Sequence, residues 1–189
     1  MRFSILKSVV TAMALTVTTV LGNLAPQQIV DGLDSLTAKA VALQPVAQSI
    51  TILNAPLIVI GQGPFPQLIA GFADIASTGN ALISQMDGQE PVQPGPSEDV
   101  YNAVRRLVQT YQALLNILIG KAGLLERIPI IGEPVAASLR GVQGALDSIF
   151  ITLINVVESR ANDITSQANS LENTLDLTIG KYQSIASGL

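Results

Sequence analysis

Apolar positions along this chain recur at alternating steps of four and three, the period of a helix that buries one face. Ile29, Leu33, Leu36, Ala40, Leu43, Ala47 and Ile50 form the first such series, with Pro26 suited to the opening turn. Pro45 lies inside the series and is expected to kink the helix near Val41 to Gln44. The segment Ile52 to Gly63 (ILNAPLIVIGQG) is apolar, interrupted by Pro56 and closed by glycines, and reads either as a continuation of the kinked helix or as an apolar connector. A second helix is predicted to begin at Pro64 to Pro66, to carry Leu68, Phe72, Ile75, Gly79, Leu82 and Met86, and to stop at Asp87-Gly88. Residues Asp87 to Ser97, with three prolines and two glycines, read as an exposed loop, and Ser97 as the N-cap of a third helix.

That third helix presents Val100, Val104, Leu107, Tyr111, Leu114 and Leu118 on one face and ends at Gly120 or Gly123. Pro129 and Gly132 force a turn, and Pro134 can open a fourth helix with Val135, Leu139, Val142, Leu146, Ile149, Leu153 and Val156 inward. Helical spacing resumes at Ile164, Ala168, Leu171, Leu175, Thr178, Tyr182 and Ile185, with no Gly or Pro to separate the two runs. A single helix over both would be far longer than the roughly 8 to 20 residues usual in globular proteins. The polar stretch Glu158 to Asp163 (ESRAND) is therefore the expected corner. The fold class predicted is all-α, an antiparallel bundle of about five helices joined by short loops.

Three stretches are richer than a one-sided stripe requires. Leu114 to Ile119, Ile149 to Val157 and Ile52 to Ile60 are apolar nearly all round. One central helix can absorb one such stretch; the remainder is either core or surface for a ligand or an interface.

Composition sharpens this. Apolar residues make up 48% of the 189 and charged residues 13%, half the usual share. Mean hydropathy is +0.45. Aromatics are 4%, so core volume must come from aliphatic side chains. Cysteine and histidine are absent, which excludes disulfides, thiol nucleophiles, Ser-His-Asp catalysis and His- or Cys-ligated zinc. No cofactor, no metal and no enzymatic activity are expected.

The N-terminus has the order of a secretory signal: Arg2 and Lys7, then the uncharged apolar run Ser8 to Leu21, then Val20-Leu21-Gly22 before a cut after Gly22. An apolar run of about 14 residues is short for a membrane span of roughly 20. The domains expected are therefore a signal peptide, 1–22, and one helical domain, 23–189, that is secreted and has no integral membrane span. Cleavage removes two of ten basic residues and none of fourteen acids, moving the net charge from −4 to −6. An acidic chain whose largest basic cluster is Arg105-Arg106 is a poor partner for nucleic acid or anionic membranes.

Smaller motifs carry little chemistry. Asp31 with Asp34, and Glu98 with Asp99, read as helix-start or solvent-facing charges rather than an acid–base pair. Gly61-Gln62-Gly63 reads as a turn. Gly120 to Gly123 and Gly141 to Gly144 read as places of close helix approach. Tyr101, Tyr111 and Tyr182 are expected to put their rings in the core and their hydroxyls at the surface.

The chain resembles the fungal hydrophobic surface-binding protein A family, also called cell-wall galactomannoproteins. The resemblance rests on IVDGLDSLTAKAVAL (Ile29 to Leu43), on the long aliphatic run Leu107 to Ile154 with its Lys-containing break, and on a last helix closing on Tyr182. It implies a secreted or wall-associated helical protein that takes up fatty acids or adsorbs to hydrophobic surfaces, with cell-wall components or a secreted hydrolase as further partners. The family has no motif that assigns a functional position. For a binder of acyl chains, the ligand-lining side chains expected are Phe72, Leu115, Leu118, Leu146 and Phe150. The alternative is a structural or self-associating secreted protein with no lipid ligand.

Overall fold

The structure, a computed structural model, describes residues 23–125 and 128–187, the side chains of 55, 56, 59 and 129 excepted. The expected signal segment, 1–22, lies outside the described residues. Five helices run in chain order: α1 (Pro26–Gln48), α2 (Pro64–Gln85), α3 (Pro94–Ala122), α4 (Gly132–Val156) and α5 (Ala161–Ser187). No strand occurs among the described residues. The apolar series fall where the spacing puts them: every position of the first four is buried, and in α5 only Ala168 is partly exposed.

Consecutive helices alternate in direction, but the lateral arrangement is a closed ring rather than a simple meander. Going round, the order is α1, α3, α5, α4, α2 and back to α1. Three of the five packed pairs are parallel. Asp34 meets Arg106, Leu36 meets Tyr111 and Gln48 meets Lys121, so α1 and α3 climb together. Gln112 bonds Ser170 and Tyr182 reaches Leu118, so α3 and α5 do the same. A Cβ built on Gly79 would meet Ala145 and Ile149, which aligns α2 with α4. Only α1–α2 and α4–α5 are antiparallel neighbours, joined by Lys39–Asp74 at 2.5 Å and by Gln143–Asp176 at 2.7 Å. Each helix thus turns its apolar stripe toward a shared centre, and none is itself central.

The turns follow from local chemistry. Pro45 stands inside α1, where it cannot donate the helical bond to the Val41 carbonyl, and the helix ends three residues later at Gln48. The segment after α1 is a connector and not a continuation: a short 3₁₀ helix, Ala55–Ile60, is stopped by Gly61 at φ +71°. The start of α3 differs from expectation. Pro94 and Pro96 lie inside the first turn, where their lost N–H groups would have had no partner. Ser97 is therefore not an N-cap but a buried helical residue whose hydroxyl donates to the Gln93 carbonyl at 2.8 Å. The ESRAND corner is a corner: Glu158–Arg160 forms one short turn, and the chain bends by 109° between α4 and the following helix.

The glycines that permit close approach are also different ones. Gly120, Gly123 and Gly144 face open space, and Gly141 has only Ala76 at ordinary contact. The tight positions are Gly32 against Leu82, Gly71 against Leu43, and Gly132 against the backbone of Tyr182 and Ala186. Sequence spacing of small residues does not say which of them faces a neighbour.

Candidate functional site: the ring interior and its apolar end

Phe72 on α2, Leu115 and Leu118 on α3, and Leu146 and Phe150 on α4 are all at least 96% buried. They belong to one continuous core to which all five helices contribute. The ring topology gives that core its character: five stripes converge on one axis, and almost every buried side chain on them is aliphatic or aromatic. The buried polar residues among those described are Ser97 and Thr178, and each hydroxyl is spent on the carbonyl one turn earlier in its own helix.

Two tyrosines enter this interior completely. Tyr111 and Tyr182 are 1% and 0% exposed, hydroxyls included, contrary to the expectation that the oxygen would reach the surface. Each phenol instead donates across a helix pair, Tyr111 to the Leu36 carbonyl at 3.3 Å and Tyr182 to the Leu118 carbonyl at 3.2 Å. Burial pushes both phenols well above their ordinary pKa, so they stay neutral donors. They are the only polar side-chain groups that cross the core between helices among the described contacts. Tyr101 is half-buried, with the guanidinium groups of Arg105 and Arg160 at 5.9 and 5.5 Å from its ring centre.

The carboxylates are distributed on the outside. Asp34 pairs with Arg106, Glu98 and Asp163 with Arg160, and Asp31 accepts from Gln27 at 2.9 Å. Asp147, on α4, faces Glu172 and Asp176 of α5; partial burial and then these two charges raise its pKa. No group of metal-ligating side chains forms among the described residues. A cleft of about 520 Å³ between α1 and α3 is lined by Gln27, Asp99, Asn102, Arg105, Arg106 and Gln109 beside Val30, and another of about 500 Å³ lies at Met86 to Gln89 against Asn155. Neither touches the five core residues named above.

The surface feature that sequence spacing missed is at one end of the ring. The α1–α2 and α3–α4 connections both lie there, tied by Lys121, whose ammonium donates to the Gln48 and Ile50 carbonyls at 2.7 and 2.9 Å. Of the large apolar side chains exposed among the described residues, six sit on these connections: Ile52, Leu53, Leu57, Ile60, Leu124 and Ile130. Leu53 is 90% exposed. The available signal was charge: no Asp, Glu, Lys or Arg occurs from Ala40 to Ala73. No single described helix is long and apolar enough to cross a membrane.

These features define an all-helical protein with a closed, apolar five-helix ring. A solved structure has a similar fold: the crystal structure of AfMP4p in complex with palmitic acid, with TM-score 0.65 and 15% sequence identity, covering 84% of this chain and 99% of that one. No protein-family model and no curated protein matches the chain.

Proposed function

We propose that the protein is a secreted, non-enzymatic binder of fatty acids and similar apolar matter, which it holds between its helices. The observation that carries this reading is the ring itself: five helices enclose an interior built from aliphatic and aromatic side chains. The likeness to AfMP4p, crystallised with palmitic acid, supports the same reading. Phe72, Leu115, Leu118, Leu146 and Phe150 are the side chains proposed to meet the acyl chain, by rotamer changes that open space along the axis. The absence of histidine and cysteine, and carboxylates spent on surface ion pairs, fit a binder rather than a hydrolase.

Burying a methylene yields about 0.8 kcal/mol, so a sixteen-carbon chain supplies enough to offset the cost of association at micromolar affinity. Organic extraction of the purified protein followed by mass spectrometry tests the proposal, together with titration by palmitic acid. Recovery of bound fatty acid, or saturable loading at one chain per protein, is the expected result. A protein that neither carries nor loads any fatty acid, and does not adsorb to hydrophobic beads, has a different role. A tight oligomer at low concentration, insensitive to lipid in sedimentation, would favour the self-associating alternative.

A further inference from the structure

We infer that Lys121, on the last turn of α3, anchors the carboxylate of a long-chain acid whose hydrocarbon lies in the ring interior, and so favours acids over neutral lipids of the same length. The inference rests on the fatty-acid reading for the presence of the chain. Its own content is which end of the ring holds the head group, and by which atom.

The first observation is the place of Lys121 in the helical pattern. The inward series of α3 runs Val100, Val104, Leu107, Tyr111, Leu114, Leu118, and its next steps of three and four reach Lys121 and Leu125. Leu118 and Leu125 are fully buried, and Lys121 between them is half-buried. Within the five helices, no other position of the four-and-three series carries a charge. Packing of apolar stripes gives no reason for an ammonium at such a position.

The ammonium is also held in place. Its bonds to the Gln48 and Ile50 carbonyls set it at the C-terminal end of α1, which favours a cation. They use two of its three N–H donors. A carboxylate that takes the third meets a side chain whose freedom is already restricted, so little further entropy is lost. Among the described residues no Asp or Glu pairs with Lys121, and the nearby Arg140 is spent on Glu133 at 3.0 Å. Glu126 and Arg127, which follow in sequence, lie outside the described residues.

The interior offers no substitute. Its polar side chains are the hydroxyls of Ser97 and Thr178, bonded within their own helices, and the phenols of Tyr111 and Tyr182, bonded to carbonyls of neighbouring helices. None is a cation. A carboxylate drawn in among them loses its hydration without gaining a counter-charge, a penalty that a place at the rim avoids. The head group of a bound acid therefore stays at one end of the ring.

The two ends are unlike. Asp87, Glu90, Glu98, Asp99, Glu158 and Asp163 gather at the end formed by the α2–α3 and α4–α5 connections, against Arg160. That end repels an anion. Lys121 stands at the other, with the exposed Lys181 near the end of α5. From Lys121 the proposed lining residues run inward in order: Leu118, Leu115 and Phe72 in the near halves of their helices, then Leu146 and Phe150 past the middle of α4.

The test compares dodecanoic acid with dodecan-1-ol, the same chain without the charge, by calorimetric titration of wild type, K121M, K121R and K181M near neutral pH. K121M is expected to weaken acid binding about tenfold, the worth of one charge-assisted hydrogen bond, and to leave alcohol binding within about twofold. K121R keeps the charge and should retain most of the acid affinity. K181M removes an exposed charge from the same end and should match wild type. Loosening of α1 from α3 would lower both ligands together, so the alcohol reports an intact interior. Should K121M fail to fold by circular dichroism, K121Q carries the same comparison. The inference is overturned if the folded Lys121 variant binds the acid as wild type does, or loses acid and alcohol alike. It is also overturned if K181M loses the acid equally, since the field of the whole end is then at work, or if Y182F and not K121M loses the acid selectively, which puts the head group inside. A wild type that binds neither ligand removes the fatty-acid reading and the anchor with it. A wild type that binds both, with no dependence on Lys121, keeps the reading and removes the anchor alone.

Discussion

At the scale of single residues, the core is specified by a few positions that tolerate little change. Gly132 opens α4 where its α carbon lies against the backbone of α5; a Cβ there would run into the Tyr182 carbonyl and the Ala186 amide. Backbone cannot rotate away as a side chain can, so Gly132→Ala is expected to cost about 3 kcal/mol, read as a lower urea midpoint at unchanged slope. Tyr111 and Tyr182 make a second case. Their phenols are buried as neutral donors and their pKa values are raised by desolvation. A phenol whose pKa is higher folded than unfolded contributes stability that is intact below its unfolded pKa, near 10, and is lost as pH rises toward the folded value. Stability should therefore fall steeply above about pH 10. The double variant Y111F/Y182F should lose the steepest part of that fall, at a cost near neutral pH of about 1 kcal/mol per hydrogen bond. Thermal melts at pH 7 and pH 11 on both proteins measure it.

At the scale of elements, the helices were legible and their lateral order was not. Each series of four-and-three spacing named the buried face correctly, because burial of one stripe is what the spacing encodes. Neighbour choice depends instead on which stripes fit each other, and spacing carries no record of that. So the ring order, with α1 beside α3 and α2 beside α4, emerges only from contacts such as Asp34–Arg106 and Gly79–Ala145. The Ser97 cap was misread for a related reason: prolines look like breakers in a sequence, yet the first turn of a helix accepts them. The burial of the five proposed lining residues follows from helical spacing, whereas the apolar end was visible only as a long absence of charge, since exposure depends on where a loop projects. One element contact carries its own prediction. Asp147 of α4 is partly buried opposite Glu172 and Asp176 of α5, and its pKa is raised. A carboxyl raised in the folded state favours folding below its unfolded pKa and opposes it once ionised. Asp147→Asn should therefore raise the melting temperature at pH 7 by about 1–2 °C, with the gain vanishing near pH 3.

At the scale of the whole molecule, the proposed role would make the ring a container as well as a stable fold, and linkage would couple the two. A ligand that enters the interior binds only the folded state, so palmitic acid at about a hundredfold excess over its dissociation constant should add roughly 2.7 kcal/mol of stability. For a domain of this size that is about 5–10 °C in melting temperature. Mere adsorption to the outer surface has no such obligation, and chain length distinguishes the two. Each methylene buried along the axis contributes about 0.8 kcal/mol, which is close to fourfold in affinity. Across saturated acids from ten to sixteen carbons, the dissociation constant should fall by about that factor per carbon while the chain still lies between helices, and level off once the interior is filled. The thermal shift should follow the same curve, because both report one burial event. Affinity that climbs without a break and brings no thermal stabilisation would mean that the acyl chains associate with the protein outside the ring.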